Sequence, residues 1–182
     1  MTSLSDLSGT YTLDPAHSSI GFVARHAVVT KVRGNFNELE GVAVIDGSNL
    51  AASSVNVTLK TASVDTRQKD RDAHLRSGDF FDAETYPTIS FASTSVKQVS
   101  DDELEVTGDL TIKDVTRPIT LPLTYTGSAV DPFGNARAGF EGSVQVNRKD
   151  WGLTWNAALE TGGVLVSEKV TLEFDLSTIK QA

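Results

Sequence analysis

The chain has 182 residues, enough for one large domain and too few for two ordinary ones. Its 24 acidic and 16 basic residues leave a net charge of −8, which disfavours a nucleic-acid partner, and the absence of cysteine excludes disulfides, thiolate metal sites and a cysteine nucleophile. Thr (20), Val (19) and Ile (6) make up about a quarter of the residues, a composition that leans towards strands.

Met1–Gly9 carries neither a basic nor an apolar stretch, so no secretory leader is read there and a cytoplasmic location is expected, although a processed secreted form would read the same. Apolar runs fall far short of the roughly 20 residues that span a bilayer as a helix, so no integral membrane segment is expected. Short strands are expected at Gly9–Asp14 and His17–His26, with a turn of helix over Ala27–Lys31. Val32–Ile45 reads as a strand whose phase changes between Phe36 and Leu39, the signature of a bulge or bend. In Ser54–Thr61, Val55, Val57 and Leu59 share one face. Thr66–Ser77 is the one clear helix, with Asp65 as N-cap and Gly78 as stop. Thr88–Val99 follows as a strand. Then come Glu103–Lys113, the segment Ile119–Thr126, a hairpin loop at Asp131–Asn135, and the strands Phe140–Asn147 and Val170–Ser177. Strict period-two alternation in these segments predicts antiparallel strands with one dry face and one wet face.

Eight or nine such strands with almost no helix must bury their dry faces on one another, as two stacked sheets or as a barrel. An eight-stranded barrel is either filled by side chains or hollow enough for one small apolar ligand. Alternation alone leaves both open.

Polar residues on the dry face are the informative ones. The register of Phe140, Val144 and Val146 carries Arg148 inward, that of Val164, Val166, Val170 and Leu172 carries Glu168, and that of Ile20, Phe22 and Ala24 carries His26. Arg148 and Glu168 are expected to pair at one end of the core, either reaching water at frayed ends or forming a polar mouth to an apolar cavity. His17 and His26 are nine positions apart, so one unbroken strand points them to opposite faces, and no motif spacing brings the three histidines together; no metal site is expected. On the helix, Arg67, Arg71 and His74 line one face, and Asp70–His74 and Asp72–Arg76 have i,i+4 spacing. That pattern suits a solvated helix, or a cap over the barrel end.

The segments DPAHSSIGFVARH (14–26), VRGNF (32–36), RDAHL (71–75), FFDAETYPTISFAST (80–94), GDLTIKDVTRPITL (108–121) and NRKDWGL (147–153) together resemble the YceI-like family of bacterial lipid-binding, or polyisoprenoid-binding, proteins. The likeness runs from about Thr10 to Ser177. It implies a single all-β domain, an eight-stranded antiparallel lipocalin-like barrel with one or two short helices around a long apolar tunnel, with homodimers common. Transferred by position, it places His26, Arg71, Asp72, His74 and Arg148 near the tunnel mouth, with Glu168 beside them. Combined with the alternation, it makes Ile20, Phe22, Phe36, Val57, Phe91, Leu110, Leu121, Phe140, Val144 and Leu172 the lining. The chain departs from the family at Asp114, where Gly is common in a turn, and at Trp151, where Phe is usual.

The expected function is therefore binding, and storage or transport, of an isoprenoid-type lipid such as a polyprenol, polyprenyl phosphate or quinone, with no catalysis and no cofactor. The alternative is an isomerase or hydrolase acting in the same cavity, with His26 or His74 as general base oriented by Glu168 or Asp72. A core filled by side chains would make the chain a plain interaction barrel.

Overall fold

In the computed structural model, which describes residues 2–160 and 162–182, the alternating segments form eleven strands. These are β1 (Ser8–Leu13), β2 (Ser19–His26), β3 (Thr30–Phe36), β4 (Leu39–Asp46), β5 (Ser54–Lys60), β6 (Val64–Asp65), β7 (Thr88–Gln98), β8 (Glu103–Ile112), β9 (Val115–Val130), β10 (Ala136–Asn147) and β11 (Lys169–Lys180). The eleven make eight staves. β11 pairs along one edge with β10; along the other, Thr178–Lys180 pair with β1 and Thr171–Asp175 with β2. β1 and β2 are thus successive halves of one stave. β4 and β3 form the next stave, because β4 pairs with β1 and β3 with β2, and β5 and β6 form the third. With β7 to β11 the sheet closes into an eight-stranded antiparallel barrel.

The expected phase change in Val32–Ile45 is a full break. Phe36 and Leu39 both turn inward around the exposed pair Asn37 and Glu38, and the strand changes partners there. The wet face carries cross-strand hydroxyl pairs, Thr107 with Thr120 at 2.9 Å and Thr111 with Thr116 at 2.8 Å. The β9–β10 ladder runs from the hairpin to Thr124 opposite Glu141 and ends before Pro122, which has no N–H to donate.

At the upper end Leu4, Leu7 and Leu50, on short 3-10 turns and their flanks, are buried over the core. The Asp131–Asn135 loop forms as expected: the Asp131 carboxylate accepts from the backbone N–H of Phe133 and Asn135 and from Arg137 Nε at 2.7 Å. Arg137 also donates to Asp14 at 2.7 Å, tying this hairpin to the β1–β2 turn.

At the lower end two expectations are corrected. In Ala27–Lys31 there is no helix: Ala27–Val29 form a turn, with Ala27 and Val28 at positive φ, and Thr30 and Lys31 open β3. The one α-helix, α1, spans Lys69–Arg76, shorter than Thr66–Ser77, and its N-cap is Gln68, whose side chain accepts from the Arg71 N–H, rather than Asp65. Arg67 is left-handed (φ 67°) and stops the helix from extending backwards; Asp65 caps the Arg67 N–H instead. In the β8–β9 turn, which Asp114 shares, Lys113 holds the left-handed backbone.

Candidate ligand site

The inward residues of the staves do not meet in the middle. Ile20, Phe22 and Ala24 of β2, Phe36 of β3, Val57 and Leu59 of β5, Phe91 of β7, Leu110 of β8, Leu121 of β9 and Leu172 and Phe174 of β11 surround a cavity of about 190 Å³. Its floor comes from outside the strands: Leu75 of α1, Phe80 and Phe81 after it, and Trp151, Leu153 and Val166. A second cavity of about 80 Å³ lies towards the upper end, walled by Leu4, Tyr11, Leu50, Leu104 and Phe140. Val55, Val57, Val106, Leu123 and Leu176 line both cavities, so the two voids adjoin across these five side chains at the waist of the barrel. Phe22, Val57, Leu172 and Phe174 are only half-buried although they face inward, because part of their surface borders the void. This barrel is hollow.

Two glycines give the aromatic rings room. A Cβ on Gly34 would lie 2.4 Å from the Phe22 ring, and one on Gly108 would lie 2.5 Å from the Phe91 ring. Each ring therefore takes up the space that a side chain on the neighbouring strand would need. Phe22, Phe36 and Phe81 continue as an aromatic wall, with centroids 6.0 and 5.6 Å apart.

Of the sequence-predicted lining, Ile20, Phe22, Phe36, Val57, Phe91, Leu110, Leu121 and Leu172 border the lower cavity and Phe140 the upper one. Val144 packs against the core but borders neither; its cross-strand partner Leu172 reaches the void in its place. Val166 lies in the register read inward from the sequence, whereas Leu75, Phe80, Phe81 and Leu153 come from segments without strand periodicity. The doublet Phe80-Phe81 before a run of turn residues is the one sequence signal that marks them.

The polar candidates are placed differently from the sequence expectation. Arg148 does reach the tunnel wall and is 5% exposed, but it does not pair with Glu168. Its guanidinium donates to three backbone carbonyls: Ser167 at 2.8 Å, Val166 at 3.3 Å and Leu153. Burial lowers the pKa of Arg148 from its ordinary value. β11 begins only at Lys169, so Glu168 lies outside the ladder and turns out to Lys149 at 2.7 Å, which holds its carboxyl below the usual range. His26, at the end of β2, is exposed beyond the barrel edge and is bridged through its backbone to Val166.

Asp72 is buried, yet it faces Thr66 rather than a ligand or Arg76: its Oδ1 accepts from both the N–H, at 2.7 Å, and the hydroxyl of Thr66. Arg71 donates to the same Thr66 through Nε and Nη2 at 2.7 and 2.8 Å, so the two side chains staple α1 to the strand end at β6. His74 pairs with Asp79 at 2.9 Å rather than Asp70, and stacks edge-on against Phe80 and Trp155 beneath the floor. Trp151 is buried, with its indole N–H on the Leu110 carbonyl at 2.9 Å. A Phe there would lack this bond.

A closed antiparallel barrel with two adjoining apolar cavities inside, and all but one of its polar candidates outside them, is the architecture of a hydrophobic-ligand container. Residues 11–178 match the model of the YceI-like domain. The chain is 43% identical over 137 residues to Protein YceI of Escherichia coli O157:H7, covering 75% of this chain and 71% of that one. Among solved structures, BcnA of Burkholderia cenocepacia superposes with a TM-score of 0.80 at 25% identity, covering 91% of this chain and 98% of that one. A polyisoprenoid binding domain from Saccharophagus degradans shares the fold, with a TM-score of 0.72 at 18% identity, over 94% of this chain and 98% of that one. The chain belongs to the YceI-like domain family.

Proposed function

We propose that this protein is a non-catalytic carrier that holds one chain-like apolar lipid of isoprenoid type along the tunnel. The observation that carries the reading is the hollow interior itself: two cavities that adjoin at a waist, walled by aliphatic and aromatic side chains from every stave. Burying one five-carbon unit is worth about 4 kcal/mol at roughly 0.8 per carbon. Three or four units therefore exceed the usual association cost of about 4–15 kcal/mol at its lower and middle range. Tail burial is sufficient, and the head group has only to set direction.

The name of the Saccharophagus domain supports the same ligand class. The catalytic alternative finds no support in geometry, since His26 and Glu168 lie outside the bore and Asp72 and His74 are engaged elsewhere among the described residues. Trp151 in the tunnel wall provides the assay. Titration of delipidated protein with polyprenols should change its fluorescence saturably with micromolar or tighter affinity. A response that never saturates, or one equalled by short polar alcohols, would overturn the reading.

A further inference from the structure

Two tips extend from the lower end of the barrel. β2 and β3 are joined through Ala27, Val28 and Val29, and both Ala27 and Val28 hold left-handed backbone, φ 50° and 70°. A β-branched residue there is an outlier that its surroundings must enforce. The Ala27 N–H donates to the Leu165 carbonyl at 2.7 Å and the Ser167 N–H to the Arg25 carbonyl at 3.0 Å, clamping the tip in place. The result presents Val28 and Val29 to solvent at 64% and 75% exposure. The partner strand of this clamp forms the second tip, where Ala158 bridges Val164 and Val164 is exposed as well. Both tips continue the segments that supply Ala24 and Val166 to the tunnel wall.

Charge is sorted to match. The chain carries −8 overall, yet no acidic residue occurs between Asp14 and Glu38, where Arg25, Lys31 and Arg33 lie. Arg33 is bound to Glu173, while Arg25 folds over the tip onto the Val29 carbonyl at 3.3 Å and Lys31 is exposed beside it. On the second tip the acidic residue is Glu160. Exposed aliphatic side chains flanked by cations at the end of an otherwise acidic molecule match the interface of an anionic bilayer, where apolar groups enter and basic groups meet lipid phosphates.

We propose that Val28, Val29 and Val164, with Arg25 and Lys31, dock the lower end of the barrel on an anionic lipid bilayer, so that an apolar chain passes between membrane and tunnel without crossing water. The inference rests on the lipid-carrier reading for its purpose, but docking itself is measured without any cargo. Delipidated protein is sedimented with vesicles of phosphatidylcholine and phosphatidylglycerol, and with phosphatidylcholine alone, at low and high salt. The wild type should bind the anionic vesicles at low salt. The double variant Val28→Asn/Val29→Ser, whose Asn suits left-handed backbone, should bind at least about fivefold more weakly. Arg25→Gln and Lys31→Gln should each cost about fivefold, a loss that vanishes at high salt. Phe133→Ser at the opposite end, where the ring is 88% exposed, should change nothing.

Absence of wild-type binding, binding indifferent to the valine and cation variants, or loss on Phe133→Ser would overturn the proposal. So would a wild-type dimer that the valine variant dissociates without any vesicle binding, which would assign the face to a second copy. Vesicle binding that persists when no polyprenol enters the tunnel would leave docking standing and refute the carrier reading alone.

Discussion

If the tunnel is continuous, plugging its waist should penalise long lipids and spare short ones. Val57 is the suitable site: it lines both cavities, and its side chain is half-buried because it borders the void. Val57→Phe adds a ring that the cavity can absorb, so the overpacking cost of about 1–3 kcal/mol seen in filled cores should largely be avoided. The upper cavity that the ring cuts off is about 80 Å³ beside about 190 Å³ below, roughly three-tenths of the bore. A lipid long enough to occupy both should lose the burial of about one five-carbon unit, up to about 4 kcal/mol or a thousandfold in Kd. One that ends below the waist should keep its affinity within about threefold, well under 1 kcal/mol. Dissociation constants for polyprenols of increasing length, from tryptophan fluorescence, give the comparison directly. Equal loss at every length, or no loss for the longest, would show that ligand does not pass the waist.

Three further substitutions probe the framework. Arg148→Met should lower stability to urea by about 3 kcal/mol, because three carbonyls lose a buried charged donor, with Arg148→Lys recovering part of it; an unchanged midpoint would refute the anchoring role. The same Met variant should weaken headed and headless lipids alike, and selective loss of headed ones would make Arg148 a head-group contact. Gly34→Ala should push the Phe22 ring into the tunnel and weaken binding of every lipid length while the fold is retained; unaltered binding would contradict the ring-over-glycine packing. Arg137 holds the carboxyls of Asp14 and Asp131 below their ordinary range, so these ionised groups stabilise the fold above the unfolded-state pKa of about 3.9 and lose that effect as pH falls through their lower folded values. Arg137→Met should thus be less stable than wild type at neutral pH, with the gap starting to narrow below about pH 4 and closing only as pH falls through the lower folded values. A gap that does not shrink as pH falls below about 4 would exclude this linkage.

The barrel was legible because its strands alternate, and alternation needs no partner to be seen. Phe91, Leu110 and Leu121 were found on the inner face from period two alone, and the phase change at Phe36–Leu39 marked the point where one stave divides. Alternation could not tell a hollow core from a filled one, because that depends on where rings lie relative to glycines on neighbouring strands, as with Phe22 over Gly34. It failed at strand ends for a related reason. Extending the register to His26, Arg148 and Glu168 assumed that the strands continue, yet β10 turns into a 3-10 helix at Arg148 and β11 starts after Glu168. On α1, spacing suggested i,i+4 ion pairs, but Asp72 found a buried hydroxyl and N–H at Thr66, which a short exposed pair cannot match. The floor residues Phe80, Phe81 and Leu153 carry no period, and only the folded chain brings them under the bore.

Native mass spectrometry of the protein purified from its own host tests the central claim most directly. The carrier account expects a population heavier than the 182-residue chain by the mass of one lipid, at one lipid per barrel, which fragments as an isoprenoid and is lost in Val57→Phe when the chain is long. Protein that emerges at the bare chain mass, and stays so after incubation with polyprenols, would contradict it.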